Sequence, residues 1–274
     1  MKEKKEIRKI EVQLLLEAIY LKYGYDFRMY TKTHMKRRIE HALAKFRLAS
    51  LSEMIHRVLH DEDFFGALFL DLTVNVTEMF RDPFFYQTLR DTVIPELRKI
   101  PFIKVWHAGC ATGEEVYSFA IVLKEEGLYD RVQIYATDLN EVVLQKAKKG
   151  IFPINIIREY TANYQKSGGK FSFADYYTAK YDSVILDKSL KERVLFSDHN
   201  LVTDGVFGEM NIVICRNVLI YFSKPLQRRV VRLFSNSLAH GGFLCLGTKE
   251  SIRFTGHDED YEVVANREKI YRKR

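Results

Sequence analysis

Val105-Trp106-His107-Ala108-Gly109-Cys110-Ala111-Thr112-Gly113-Glu114-Glu115 is the stretch that decides how this chain folds. An apolar run stops at Gly109, a second glycine follows at Gly113, and two carboxylates open what reads as a helix. Strand, glycine turn and helix is the way an α/β sheet presents backbone to a nucleotide-like ligand. The glycines let the main chain approach a ligand closely and take dihedrals that a Cβ resists. A pyrophosphate site favours bare N–H groups and the positive end of a helix dipole. Glu114 and Glu115 would repel phosphate there and suit a cationic ligand with an amino group. Two glycines at this spacing also serve as a plain strand-to-helix turn in many α/β proteins, so further residues must discriminate.

The next strand-like run, Val132-Gln133-Ile134-Tyr135-Ala136-Thr137-Asp138, ends in an acid 25 residues after Gly113. An acid at the end of the second strand is placed to accept hydrogen bonds from ribose hydroxyls. Asp138 therefore supports an adenosine ligand without choosing the chemistry; as an alternative, Asp138 or Asn140 simply caps a helix over 141–149. S-adenosylmethionine, a sulfonium with an ammonium, a carboxylate and an adenosine but no phosphate, matches an acid-lined loop of this kind.

The chain of 274 residues has room for one large or two modest domains, and its 47% hydrophobic content is ample for a core. No window reaches about 18 uninterrupted apolar residues, and the start, Met1-Lys2-Glu3-Lys4-Lys5-Glu6, is charged with no apolar run behind it. Neither a membrane span nor a secretory leader is indicated, and a cytoplasmic location is expected. Cys110, Cys215 and Cys245 are odd in number and lack a Cys-x-x-Cys pair, which reads as reduced thiols without zinc. The net charge of +7 is concentrated. Residues 1–50 hold 13 Lys plus Arg against 6 Asp plus Glu, and the other 224 residues hold 30 of each. The basic fifth points to an acidic partner.

Residues 7–70 read as helical. Ile10, Leu14, Leu15, Ala18 and Leu21 fall on one face of the first helix. In the second, Thr31 or Thr33 supplies a cap, Met35, Ile39, Ala42 and Phe46 make an apolar stripe, and His34, Arg37, Arg38, His41 and Lys45 make an adjoining basic one. Such a stripe is either a solvated face or a grip on an acidic partner. Leu48–Leu59 and Phe64–Leu72 read as two more helices. The connector Thr73-Val74-Asn75-Val76-Thr77-Glu78-Met79-Phe80-Arg81-Asp82-Pro83 reads as extended, with Pro83 opening a helix over 84–99. Strand-like runs at 103–108, 132–137, 194–197, 210–215 and 242–247 then alternate with helices at 114–126, 140–149 and 224–239, the pattern of a parallel sheet. Residues 154–193 break the rhythm as a helix followed by a small antiparallel appendage, too short to hold a core alone. The run 261–272 reads as a closing antiparallel pair. Because ligands bind at the carboxyl ends of strands in open sheets, Arg216, Asn217 and Tyr221 are expected in the same cleft as Gly109 and Asp138.

Taken together, these segments resemble the chemotaxis receptor methyltransferases, the CheR family. The matching pieces are Asn75-Val-Thr77-Glu-Met-Phe80-Arg81, Ala111-Thr112-Gly113-Glu114-Glu115 with Tyr117-Ser118, Thr137-Asp138, Asn200-Leu201, Cys215-Arg216-Asn217-Val218-Leu219-Ile220-Tyr221-Phe222, and Leu246-Gly247-Thr248-Lys249-Glu250-Ser251. The resemblance implies an α/β fold: a Rossmann-like S-adenosylmethionine-dependent methyltransferase sheet carrying an inserted small antiparallel β subdomain, preceded by an all-α N-terminal domain. The boundaries expected are a helical basic domain over 1–72, a linker over 73–83 and the methyltransferase domain over 84–274, with the β insertion at about 161–193.

The resemblance further implies methyl transfer from S-adenosylmethionine to glutamate side chains of methyl-accepting chemotaxis receptors, giving glutamyl methyl esters and S-adenosylhomocysteine. By similarity the cofactor contacts are Asn75, Thr77, Arg81, Glu115, Asp138, Asn200, Leu201, Arg216 and Asn217, beside Gly109 of the glycine turn, with Arg81 and Tyr221 nearest the methyl and the incoming carboxylate. A carboxylate is already a nucleophile at neutral pH, with an ordinary glutamate pKa of about 4.3, so no general base is assigned. His34, Arg37, Arg38, His41 and Lys45 would meet the glutamates on the receptor's cytoplasmic helices. Some relatives also capture a short C-terminal receptor peptide on the β insertion by strand addition, for which residues 170–193 hold the material. The fourth strand opens with Asn211 where relatives usually carry Asp, at the end away from the cleft. Neither nucleic acid nor direct membrane insertion is expected. A nucleic-acid methyltransferase would suit the basic N-terminus, but the chain has no Asn/Asp-Pro-Pro-Tyr/Phe motif and Cys215 follows no proline. A non-catalytic cofactor-binding adapter fits poorly with retention of both Arg81 and Tyr221, and a dehydrogenase with Glu114, Glu115 and the missing Gly-x-Gly-x-x-Gly.

Overall fold

The computed structural model describes residues 2–75, 77–206 and 208–274, so Val76, between the expected cofactor contacts Asn75 and Thr77, lies outside the described residues. The chain forms two compact units: residues 1–74 with 221–229, and residues 75–220 with 230–274.

The first unit is built on four helices: α1 (Lys2–Tyr23), α2 (Lys32–Lys45), α3 (Leu51–His60) and α4 (Glu62–Leu72). Each of the last two starts on a side-chain cap. The Ser50 hydroxyl accepts from Glu53 N at 3.1 Å, and the Asp61 carboxylate accepts from Phe64 N at 2.9 Å. The core joins Leu15, Ile19, Met35, Ile39, Met54, Val58, Leu68 and Leu72. The buried face of α1 only partly matches the one the sequence pattern suggests, since of its residues Leu15 is buried and Ala18 half-buried. Leu15, Leu16 and Ile19 turn inward, whereas Ile10, Leu14 and Leu21 are 54%, 54% and 73% exposed. This helix carries two apolar stripes, and packing against α3 chose the one that includes Ile19.

The second unit opens with α5 (Pro83–Thr92) and the single turn α6 (Ile94–Leu97), where one helix over 84–99 is expected. Pro95 ends the first helix by denying it a backbone donor. There follow β1 (Ile103–Ala108), α7 (Glu114–Glu125), β2 (Val132–Asp138), α8 (Glu141–Lys149), β3 (Ile151–Pro153), α9 (Ile157–Lys166), β4 (Tyr177–Lys180), β5 (Ser183–Leu186), β6 (Val194–Asp198), β7 (Met210–Cys215), α10 (Lys224–Ser237), β8 (Leu238–Leu246), β9 (Tyr261–Ala265) and β10 (Ile270–Lys273). Seven strands make one sheet in the order β6-β2-β1-β7-β8-β10-β9. The first five are parallel, and β10 and β9 close the edge antiparallel. The core-facing strands β1 and β7 are near-continuous apolar runs, as burial on both faces requires. A second sheet, β3-β5-β4, is antiparallel. It takes in Ile151–Pro153, upstream of the residues expected for the insertion, because β5 needs a partner on each side.

Asn211 sits at the amino end of β7, where its Oδ1 accepts from Lys104 N at 2.8 Å and latches β7 to β1. Asparagine fills that job without a charge, at the end of the strand opposite the glycine turn.

Candidate active site

The chain runs β1, β2, β6 in one direction and then β7, β8 in the other, so the order reverses between β1 and β7. A crevice at the carboxyl ends of strands where the order reverses is the usual ligand position in such sheets. Gly109 follows β1 there with φ +76°, and a Cβ on it would come within 2.6 Å of Val218 Cγ2, just after β7. Glycine is needed both for the dihedral and for the close approach. Gly113 has φ +92° and caps α7. Ala111, between them, also holds a left-handed φ of +48°, as do Phe80 (+53°), Asp82 (+53°) and Asn217 (+62°). Left-handed backbone at non-glycine residues concentrates at functional sites.

Hydrogen bonds hold the turn in that shape. Gly109 N and Cys110 N both donate to Thr137 O, at 2.8 and 2.9 Å. Asp138 Oδ2 accepts from Ala111 N at 2.9 Å and Oδ1 from Asn140 N at 3.0 Å. Asp138 is only half-buried, and burial still pushes its carboxyl above the ordinary range against these backbone donors. Asn140 rather than Asp138 caps α8, through Oδ1 to Val142 N at 3.0 Å. Asn200 and Leu201 follow β6, the neighbour of β2. Asn200 Oδ1 accepts from Val202 N at 3.0 Å, and Leu201 is buried.

Arg216 is the centre of the site. Its side chain is 1% exposed and lies 4.2 Å from the Phe85 ring. Nη1 donates to Glu115 Oε2 at 2.7 Å and to Arg81 O at 3.2 Å, and Nη2 donates to Asp82 Oδ2 at 2.6 Å. Burial opposes the charge of Arg216, and the carboxylates of Glu115 and Asp82 outweigh it, so its pKa is raised. Burial likewise lifts Glu115, against the pull of Arg216 and Arg81. Arg216 and Glu115, both read from the sequence as cofactor contacts, thus bind each other, and Arg216 fixes the turn that presents Arg81. Arg81 itself is half-buried. Asn75 and Thr77 lie half-buried in the segment leading to it, and Phe80 N donates to Ser118 Oγ at 2.9 Å.

Glu250 was given no role by the sequence reading, and Glu114 was read only as repelling phosphate and suiting a cationic ligand. Glu250 is 4% exposed, and its carboxylate accepts from Gly247 N at 2.6 Å, Asn217 N at 2.9 Å and Ile220 N at 3.2 Å. It ties the loop after β8 to the loop after β7 and holds Asn217 in its left-handed turn. The signal was present in Leu246–Ser251, whose acid follows a glycine by three residues. Glu114 is buried, receives the Thr112 hydroxyl at 2.6 Å, and is pushed up to about 7 by burial, partly offset by that bond. His107 is buried beside Glu115, and burial, reinforced by Arg216, lowers it to about 3.

The remaining predicted site residues belong to the helical unit. Tyr221 lies there with its carbonyl accepting from Thr31 N at 2.8 Å. The basic stripe of α2 is partly consumed inside that unit. Arg38 Nη1 donates to Asp71 O at 2.6 Å and Thr73 O at 3.0 Å, and Lys45 pairs with Asp71 at 2.7 Å. His34 is half-buried, while Arg37 and His41 are exposed.

Among the described residues, Asn217 Oδ1 is buried and finds no hydrogen-bond partner. An orphan acceptor beside a left-handed glycine turn, with a half-buried acid at the end of the next strand, suits a ligand bearing amino and ribose groups. These features define the class: an S-adenosylmethionine-binding methyltransferase fold with an all-α N-terminal region. Residues 75–270 match the family model for the CheR methyltransferase SAM-binding domain, and residues 10–73 match that for the CheR methyltransferase all-alpha domain. The chain belongs to the CheR methyltransferase family. It is 53% identical over 264 residues to the Pseudomonas putida protein named "Putative methyltransferase Cher3", covering 96% of this chain and 97% of that one. It is 32% identical over 240 residues to chemotaxis protein methyltransferase 1 of Vibrio cholerae, covering 84% of each chain. Among the described residues, no helix is long and apolar enough to cross a membrane.

Proposed function

We propose that the chain transfers the methyl group of S-adenosylmethionine to glutamate side-chain carboxylates of methyl-accepting chemotaxis receptors, leaving glutamyl methyl esters and S-adenosylhomocysteine. The observation that carries this reading is the Arg216 hub, which fixes Arg81 and Glu115 together at the sheet's switch point. S-adenosylmethionine, when bound, supplies an electrophilic methyl on a sulfonium. Asp138 and Asn217 would hold its ribose and amino groups, with Asn75, Thr77, Gly109, Glu115, Asn200 and Leu201 completing the cradle. Arg216 acts through Glu115 and the 80–82 turn.

Arg81 offers the cation that draws in an acceptor carboxylate, and Tyr221 offers a hydroxyl to orient it. Since the acceptor is already ionised at neutral pH, the residues need only position it, and positioning can supply on the order of 7–11 kcal/mol of a barrier. The buried, neutral His107 is not needed as a base. Arg37 and His41, exposed on α2, suit the acidic surface of a receptor helix, whereas the exposed Lys45 is paired with Asp71. The edge strand β4, with Thr178, Ala179 and Lys180 exposed, offers unpaired backbone that a receptor's C-terminal peptide would extend.

The test uses methyl-labelled S-adenosylmethionine with membranes bearing the same organism's chemoreceptors. Label is expected in the receptor band, released as methanol by mild base, and reduced at least about 100-fold in Arg81→Ala if Arg81 positions the acceptor. Absence of label with intact cofactor binding and folded receptors would remove the receptor-glutamate reading and bring forward an adapter that binds cofactor without turnover.

A further inference from the structure

Tyr221 is embedded in the helical unit by backbone and ring together. Its carbonyl accepts from Thr31 N, Phe222 forms an antiparallel bridge with Tyr30, and Ser223 N donates to Met29 O at 2.9 Å. The loop before α2 thus grips three consecutive residues, 221–223. The ring of Tyr221 then meets the imidazole of His34 on the first turn of α2, with centroids 4.4 Å apart and planes at 41°.

The imidazole is itself pinned from behind. Arg38, one helical turn on, donates from Nε to His34 Nε2 at 3.2 Å. The same guanidinium is anchored on the carbonyls of Asp71 and Thr73 at the end of α4, acceptors that a helix C-terminus leaves unfilled. To accept from Arg38, His34 must be neutral and carry its proton on Nδ1. Burial, then the charges of Arg38 and Arg37, lower its pKa to about 4, which keeps it neutral. Arg38 also lies within electrostatic reach of the Tyr221 phenol. A neutral imidazole and a guanidinium facing inward are poor tools for gripping an anionic partner, and good ones for holding an aromatic ring.

We propose that His34, braced by Arg38 on the end of α4, is a positioning residue that sets the orientation of the Tyr221 ring. The inference rests on the reading of Tyr221 as the group that orients the acceptor carboxylate. It moves His34 and Arg38 out of the receptor-binding stripe and leaves Arg37 and His41 there.

The experiment compares His34→Ala, His34→Gln and His34→Phe in the full chain, with Tyr221→Phe as reference. Phe keeps a ring against Tyr221, Gln keeps an acceptor for Arg38, and Ala keeps neither. The first readout is the ring NMR signal of Tyr221 in protein labelled at tyrosine, assigned by its loss in Tyr221→Phe. It is expected to shift or broaden in the Ala and Gln variants and to return in the Phe variant. The second is methylation kinetics. In His34→Ala and His34→Gln, kcat is expected to fall about 10- to 100-fold through misplacement of the acceptor, with receptor KM and cofactor Kd within about twofold and largely restored kcat in His34→Phe. An unmoved Tyr221 signal in His34→Ala overturns the proposal. So does a raised receptor KM at unchanged kcat, which makes His34 a receptor contact. Full activity in Tyr221→Phe, with the signal still dependent on His34, overturns the role of Tyr221 in the reaction and leaves the positioning contact standing.

Discussion

At the scale of single residues, the site is a set of buried charges made tolerable by partners, and the partners differ in kind. Arg216 is shared between Glu115 and Asp82, so removing Arg216 leaves Glu115 a buried charge without its hydrogen-bonded partner, whereas removing Glu115 leaves Arg216 paired with Asp82. Glu250 is instead satisfied by backbone N–H groups. Glu114 has a hydroxyl and burial, and its pKa is raised to about 7. A carboxyl raised on folding contributes stability in its protonated form. That contribution is full below the unfolded value of 4.5 and is lost as pH rises through about 7. Glu114→Gln cannot ionise. Relative to the parent chain, it is expected to gain on the order of 3 kcal/mol in unfolding free energy between pH 4 and pH 8. His107, lowered to about 3 by burial, works the other way: its contribution begins to disappear as pH falls below 6.5 and is gone below the folded value. It is common to both proteins and cancels in the difference. Denaturant unfolding of the pair at the two pH values checks this, and a difference that does not change with pH would show that folding leaves the Glu114 carboxyl unshifted.

At the scale of elements, the sequence made the central strands and their loops legible and left the amphipathic surfaces ambiguous. The β1 turn and α7 were readable because glycine dihedrals, an apolar run and paired acids all point the same way. The strand-end acid Asp138 and the loop after β7 were readable because a sheet's switch point leaves few places for a ligand. The bonding inside the site was not readable. Nothing in the spacing of Glu115 and Arg216, 101 residues apart, says that they bind each other. Nor does the pattern 150–193 reveal that Ile151–Pro153 pairs with β5. On α1 the periodicity pointed to Ile10, Leu14, Leu15, Ala18 and Leu21, but Leu16 and Ile19 also recur with Leu15 at helical spacing, and only the partner helix selects them. The distinction is measurable. Ile19→Ala empties a fully buried position and is expected to cost about 2–5 kcal/mol of stability. Leu21→Ala, at a position 73% exposed, is expected to stay within about 0.5 kcal/mol. Equal effects in equilibrium unfolding would mean that the outer stripe of α1 is covered in solution.

At the scale of the whole molecule, the charge is where the cofactor machinery is not. The chain's excess of +7 is carried by its first 50 residues, and part of that charge is engaged within the helical unit. Arg38 and Lys45 are engaged on the end of α4, and Arg28 on Glu17 and Asp26. Arg37 and His41 remain exposed on α2. If the exposed members attract an acidic receptor helix, their effect is a long-range, screened one. Receptor KM should then rise as salt increases from about 0.05 to 0.5 M, since the screening length falls from roughly 14 Å to about 4 Å, while cofactor Kd changes little. Arg37→Glu should raise receptor KM about 10-fold at low salt and flatten that salt dependence, with kcat preserved, because burial and Arg38, ahead of Arg37, keep His34 neutral against Tyr221. Lys45→Glu is the contrast. It breaks the Lys45–Asp71 pair on a half-exposed surface, so it should lower stability by no more than about 1 kcal/mol and move KM less than Arg37→Glu does. A receptor KM indifferent to both salt and Arg37→Glu would place receptor recognition away from α2, and would leave the N-terminal charge without a role in finding the substrate.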